Sequence, residues 1–131
     1  MNYITMVFDI KNSKMIEQRD AFQNLLINTL KKCNLDFKNI IASPFIITLG
    51  DEWQGLLNEN SKYMDIINFF RNELPSSIDF YTGIGIGEIS VHNFELTVNQ
   101  LDGPAFNLAR KAIKYAKKNN CKLVILSNSL V

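Results

Sequence analysis

Residues 45–57 read FIITLGDEWQGLL. Two apolar, β-rich runs, Phe45-Ile46-Ile47-Thr48-Leu49 and Glu52–Leu57, flank Gly50-Asp51, a pair with turn chemistry, so the stretch predicts a β-hairpin. Two adjacent strands joined by so short a turn run antiparallel, which sets the character of the sheet they enter.

Working outward, residues 3–10 (YITMVFDI) form a short apolar run that stops at the polar break Lys11-Asn12-Ser13 and read as a first strand. Over residues 14–33, Phe22, Leu25, Leu26, Leu30 and Cys33 recur at three- and four-residue intervals, drawing one buried stripe on a helix. Residues 34–43 are loop-like. On the other side of the hairpin, residues 63–74 carry Tyr63, Ile66, Ile67, Phe70 and Leu74 at helical spacing and are closed by Pro75. Residues 78–90 (IDFYTGIGIGEIS) alternate as a fourth strand, and residues 91–101 are either a loop or a short hairpin element. Asp102-Gly103-Pro104 opens a third helix with Phe106, Ala109, Ile113 and Ala116 as its inner stripe and Asn119-Asn120 as its stop. Residues 122–126 form a last strand.

The order β-α-β-β-α-β-α-β predicts an α+β fold, ferredoxin-like or polymerase-palm-like, with a mainly antiparallel sheet and the helices gathered on one face. At 131 residues, 47% of them hydrophobic, the chain can bury one core and is too short for two ordinary domains. No linker, repeat or low-complexity segment divides it, so residues 1–131 are expected to form a single domain.

Composition removes several classes of function. No stretch approaches the roughly 18 uninterrupted apolar residues of a membrane-spanning helix, and residues 1–10 have neither the basic start nor the cleavage site of a secretory signal. A cytoplasmic protein without membrane contact is the expectation. Fourteen basic against thirteen acidic residues leave a net charge of +1, which argues against direct nucleic-acid binding by this segment. The local run Lys111, Lys114, Lys117, Lys118 reads as a solvated helix face with cations near a helix C-terminus. Cys33 and Cys121 have no metal-ligand spacing and read as reduced thiols.

Two carboxylates stand out. Asp9 ends the first strand and Asp51 sits at the hairpin tip; if the strand lies beside the hairpin, they meet at one edge, where hard oxygen ligands suit Mg²⁺ or Mn²⁺ together with substrate phosphates. Glu52 is a weaker third. Each residue alone has a structural explanation, strand-end charge for Asp9 and turn duty for Asp51. Gly83, Gly85 and Gly87 leave one face of the fourth strand bare, which predicts close contact with a helix, a partner chain or a ligand, in that order. Asn107, Arg110 and Lys111 lie in the first turns of the third helix, where the helix dipole favours an anion such as phosphate, although spacing alone favours reading Arg110 and Lys111 as surface cations and Asn107 as a polar helix residue. Trp53 reads as a core or interface aromatic, and His92 lacks any partner at a recognisable spacing.

The segments FDIKNSK from Phe8, FIITLGDEWQGLL from Phe45, GIGIGEIS from Gly83 and DGPAFNLARKAI from Asp102, in this order and spacing, closely resemble the N-terminal domain of bacterial SatD-family proteins over nearly the whole chain. Members typically continue into a C-terminal DNA-binding-like segment that these residues do not include. More distantly, the same order is similar to the catalytic domains of class III nucleotide cyclases and the related diguanylate-cyclase and palm superfamily. That resemblance implies a homodimer that binds a nucleoside triphosphate with Mg²⁺. It further implies metal binding at Asp9 and Asp51, a cofactor-contacting role for Ile10 and Gly50 at the two strand ends, and a place beside the nucleotide for Gly103 and Asn107.

Two positions depart from the cyclase pattern. The base-reading lysine or glutamate, three residues before the hairpin glycine, is Ile47 here. The transition-state arginine, four residues after the asparagine, is Lys111, with Arg110 one position early; one residue turns a helical side chain by about 100°. Two readings follow, with a third beside them. In the first, the domain forms a cyclic nucleotide by 3′-hydroxyl attack on the α-phosphorus, with Arg110, Lys111 and Asn107 as catalytic residues. In the second, a regulatory module keeps the fold without turnover. The third is a dimerisation domain whose bare glycine face is the packing surface.

Overall fold

The hairpin forms as read: β2 (Ile41–Leu49) and β3 (Glu52–Leu57) pair antiparallel with Leu49 opposite Glu52. Gly50 turns the chain with φ of 41°, a left-handed conformation that glycine adopts without steric cost. Strand β2 starts four residues earlier than the apolar run and includes Pro44. It is the edge strand of the sheet, where a missing N–H is tolerated, and register shifts around Ser43 mark the bulge that accommodates it.

A computed structural model describes residues 1–13 and 16–128. Around the hairpin it places β1 (Tyr3–Ile10), α1 (Arg19–Asp36), α2 (Tyr63–Glu73), β4 (Phe80–Gly87), α3 (Pro104–Asn119) and β5 (Leu123–Ser127), in the expected order. Residues 14 and 15, assigned above to the first helix, lie outside the described residues. Helix α1 begins later and ends later than its stripe suggests, and β4 is shorter than the alternating run. Residues 91–101 are turns and loop, without a strand.

The sheet runs β2-β3-β1-β4-β5, antiparallel except for the parallel β4–β5 pair. The α+β class and the mainly antiparallel, palm-like sheet therefore hold; the gathering of all helices on one face does not. Ile4, Met6, Phe8 and Ile10 of β1 point toward α1 and α2, forming a core with Phe22, Leu26, Trp53, Ile67, Phe70 and Phe80. The alternate residue Val7 packs against Ala109 and Ile113 of α3 on the opposite face. Glycine is the reason. A Cβ at Gly83 would stand 2.5 Å from the backbone N of Ile113, and one at Gly85 2.2 Å from the backbone O of Ala105, so the bare face of β4 is a bed for a helix in backbone contact. The contact partner ranked first from sequence is the one found, but it builds a second helical layer. Gly87 instead faces the side chain of Asn128 at 3.2 Å.

Trp53 is fully buried, stacked on Phe8 with ring centroids 5.3 Å apart, a core aromatic. Both cysteines are free; burial pushes the Cys33 thiol up to about 12, which fits an inert core thiol. Among the described residues, no helix is long and apolar enough to cross a membrane.

Candidate functional site

Strand register brings the carboxylates to one edge. Asp9 stands opposite Glu52 across the β1–β3 ladder and opposite Tyr81 across β1–β4. The hairpin tip is tied to the end of β1 by the Ile10 N–H, which donates to the Asp51 carbonyl at 3.2 Å. Asp9, Gly50, Asp51 and Glu52 thus form one wall of an open cavity of about 380 Å³. Helix α3 forms the other wall with Arg110, Ile113, Lys114 and Lys117, and Leu49 stands at the rim.

Each carboxylate is held by a cation from a different place. Lys117 Nζ lies 2.9 Å from Asp9 Oδ2, and Arg19, at the start of α1, donates to Asp51 Oδ1 at 2.6 Å and to the Ser13 carbonyl at 3.1 Å. Glu52, with only 7% of its side chain exposed, accepts from Arg110 at 2.7 Å and 3.4 Å and from the Thr48 hydroxyl at 2.6 Å. Arg110 also reaches Gln54 Oε1 at 3.4 Å. Desolvation raises the Asp9 carboxyl above its ordinary range; hydrogen bonding and attraction from Lys117 pull it back, and the nearby Glu52 and Asp51 carboxylates push it up again. Like charges share this edge, which is the condition under which a divalent cation is attracted.

Of the residues singled out in the sequence, Asp9, Asp51, Glu52, Gly50 and Arg110 meet at the cavity. Ile10 contributes its backbone N–H to the hairpin tip, while its side chain is buried in the opposite core. Lys111 is exposed and absent from the cavity wall. Gly103 and Asn107 do not line the cavity, although Asn107 stands one turn before Arg110 on the same helical row, about 4.5 Å along the axis. At the α3 N-terminus, Pro104 has no N–H and the Ala105 N–H donates to the Glu88 carbonyl at 2.9 Å, which leaves fewer donors there for an anion. Gly103, at φ of 138°, serves the backbone crossing there, where a Cβ would meet Ser90 N at 2.5 Å.

The lysine run needs a correction. Lys114 and Lys117 are not merely a solvated face: they share the helical row of Arg110 and Ile113 and form the cavity wall. The signal was present in the spacing, since 110, 113, 114 and 117 fall on one stripe with the apolar Ile113. Arg19 gave no such signal, because its contact with Asp51 spans 32 residues of sequence.

The donor set fits a hard divalent ion only as an open clamp. Among the described residues no three His, Cys, Asp or Glu side chains converge as a complete cage, so Asp9 and Asp51 would need oxygens from a bound phosphate to fill the coordination shell. A larger cavity, about 580 Å³, opens beyond Lys11 between the start of α1 and the segment ahead of β4. Its floor is apolar, with Ile16, Phe22, Leu25 and Ile78, and its rim carries Asn12, Gln18, Ser77 and Asp79. Lys11 sits 4.7 Å over the ring of Tyr81 and 3.5 Å from Asp79.

A sequence model described as SatD family matches residues 3–124. No curated protein sequence matches the chain. Among solved structures, a microbial GGDEF domain described with bis-(3′,5′)-cyclic di-GMP is similar at a TM-score of 0.59 and 17% identity, over 95% of this chain and 77% of that one. The catalytic core of a rhodopsin-guanylyl cyclase with converted specificity, in complex with ATPalphaS, is similar at 0.55 and 15% identity, over 86% and 71%. The adenylyl cyclase CyaB from P. aeruginosa gives 0.50 and 18%, over 87% and 71%. Identities this low establish a shared fold with nucleotide cyclase catalytic domains and nothing finer.

Proposed function

The chain belongs to the SatD family, and from that premise we propose that it is a metal-dependent nucleotide-binding domain in which Asp9 and Asp51 hold Mg²⁺ or Mn²⁺ bound to a nucleoside triphosphate. The observation that carries this is one cavity with carboxylates on its strand wall and cations on its helix wall, in a fold shared with nucleotide cyclases. Glu52 is a weaker ligand, because Arg110 and Thr48 already occupy its oxygens. Arg110, Lys114 and Lys117 lie where the phosphate charge would fall.

In turnover, the O3′–Pα bond forms as the Pα–O bond to the leaving pyrophosphate breaks, and the proton of the 3′-hydroxyl is released to water in the open cavity. A bound divalent ion would supply charge neutralisation and a Lewis acid for the phosphoryl oxygens. The protein's own part is to orient: Asp9 and Asp51 fix where the phosphates sit, and the α3 cations receive the charge that develops on the leaving group. Gly103 and Asn107 are not among the residues that line this cavity; a homodimer that brings the N-terminal end of α3 to the partner's site would give them a role beside the nucleotide.

A second reading, a regulatory module that binds without turnover, is favoured by one specific arrangement: Arg110 is committed to Glu52 and Lys111 is turned off the cavity. Incubating the protein with each of the four ribonucleoside triphosphates and Mg²⁺ or Mn²⁺, while following thermal shift and pyrophosphate release, separates the two. A shift with pyrophosphate release supports the cyclase-type enzyme, and a shift without release selects the module. If no triphosphate raises Tm with either metal, and Asp9→Asn and Asp51→Asn change nothing, the nucleotide reading fails.

A further inference from the structure

We propose that Lys117 is an exchange cation: counter-ion of Asp9 in the free protein, and a phosphate ligand once a divalent ion has taken that carboxylate. This rests on the proposed metal–nucleotide site. Three observations support it. Lys117 Nζ is 2.9 Å from Asp9 Oδ2, so it occupies an oxygen the metal requires. Its side chain is 50% exposed, a long ammonium stem free to rotate away at little cost. It also stands beside Lys114 on the same wall, for which the described residues supply no ion-pair partner.

An ammonium and a divalent ion compete for Asp9, and the divalent ion wins when a phosphate completes its shell. Lys117, once displaced, remains tethered on α3 beside the cavity. A metal–triphosphate retains net negative charge, so the freed ammonium and Lys114 face an anion across the same opening. Lys117 therefore opposes the metal alone and favours the metal–polyphosphate complex. A residue that merely supported the fold would not act in opposite directions on the two ligands.

The probe is base-independent: Mn²⁺ alone, followed by the paramagnetic signal of the free ion, and Mn²⁺ with inorganic tripolyphosphate, followed by calorimetry. Lys117→Met is expected to bind Mn²⁺ roughly two- to fivefold more tightly, the scale of losing one partly exposed competing ion pair, and Mn²⁺–tripolyphosphate roughly tenfold more weakly, the scale of one charge-assisted contact to phosphate. Lys117→Arg should keep the second affinity near wild type. Lys118→Met, beside it but off the cavity wall, should change neither. If the wild type binds both probes, Asp9→Asn loses both, and Lys117→Met leaves both unchanged or weakens both, the exchange role is overturned while the site stands. If the wild type binds neither probe, the proposed site falls, and the exchange role with it. Circular dichroism of each variant guards against a fold defect.

Discussion

The two faces of the sheet are built from alternate residues of the same strands and differ in almost everything else. Toward α1 and α2, Phe8 meets Trp53, Phe70 and Phe80 with ring centroids 4.9–5.6 Å apart, a dry aromatic core. Toward α3, the strand contributes glycine and valine, the helix contributes alanine, and the backbones touch. The first face buries large apolar surface and supplies stability. The second brings a helix close enough that Arg110 and Lys117 reach Glu52 and Asp9 at 2.7 Å and 2.9 Å. One face is therefore a stability face, and the other is a positioning face.

The sharpest way to break this contrast is to change one side chain on each face. Phe8→Ala should cost about 3–5 kcal/mol by urea unfolding, the largest single effect expected here. Gly85→Ala adds one methyl group where the nearest atoms are backbone at 2.2 Å and 2.3 Å. It should cost less stability, about 1–3 kcal/mol, yet weaken Mn²⁺–tripolyphosphate binding by more than Phe8→Leu does, because α3 must move away from the strand wall. Equal loss of binding in the two variants would mean that α3 is not a positioning element.

At the cavity, Arg110→Met leaves Glu52, 7% exposed, without its guanidinium. Removing one partner of a fully buried pair costs about 3–5 kcal/mol, but Arg110 is 39% exposed and solvent screens it, so roughly 1–2 kcal/mol is expected. The double variant Arg110→Met with Glu52→Gln should recover most of that loss in thermal unfolding. Failure to recover would show that Arg110 contributes through packing on α3 rather than through charge.

Much of this was legible in the sequence, and the parts that were not share a cause. The hairpin and the element order follow from local patterns of alternation, turn residues and helical periods, whereas the meeting of Asp9 with Asp51 was conditional on β1 lying beside the hairpin, a pairing the fold supplies. The side of the sheet that α3 takes depends on tertiary contact, and its one local trace, the glycine row at 83, 85 and 87, indicates closeness without naming the neighbour. Arg19 escaped for the same reason, and Lys117, although its spacing put it on one stripe with Arg110 and Ile113, had no named partner. Charge on a helix surface has a solvated explanation until a partner 32 or 108 residues away is placed beside it.

Asp9 itself gives the smallest and most diagnostic effect. Its carboxyl is raised above the ordinary value of 3.8, by desolvation first and by the Glu52 and Asp51 charges against the pull of Lys117. A raised acid binds more protons in the folded state than in the unfolded state between the two titration points. Folded stability therefore falls as pH climbs through the raised value, and the charged carboxylate is a net burden at neutral pH in metal-free protein. Asp9→Asn in the presence of a chelator should raise Tm at pH 7.5, with the gain shrinking toward pH 4, where the wild-type carboxyl is increasingly protonated in both states. A variant less stable than wild type at pH 7.5, with the deficit shrinking toward pH 4, would mean that pairing with Lys117 outweighs burial. Asp9 would then be a structural ion-pair residue on the positioning face, and the burden expected of a carboxylate kept for a ligand would be missing.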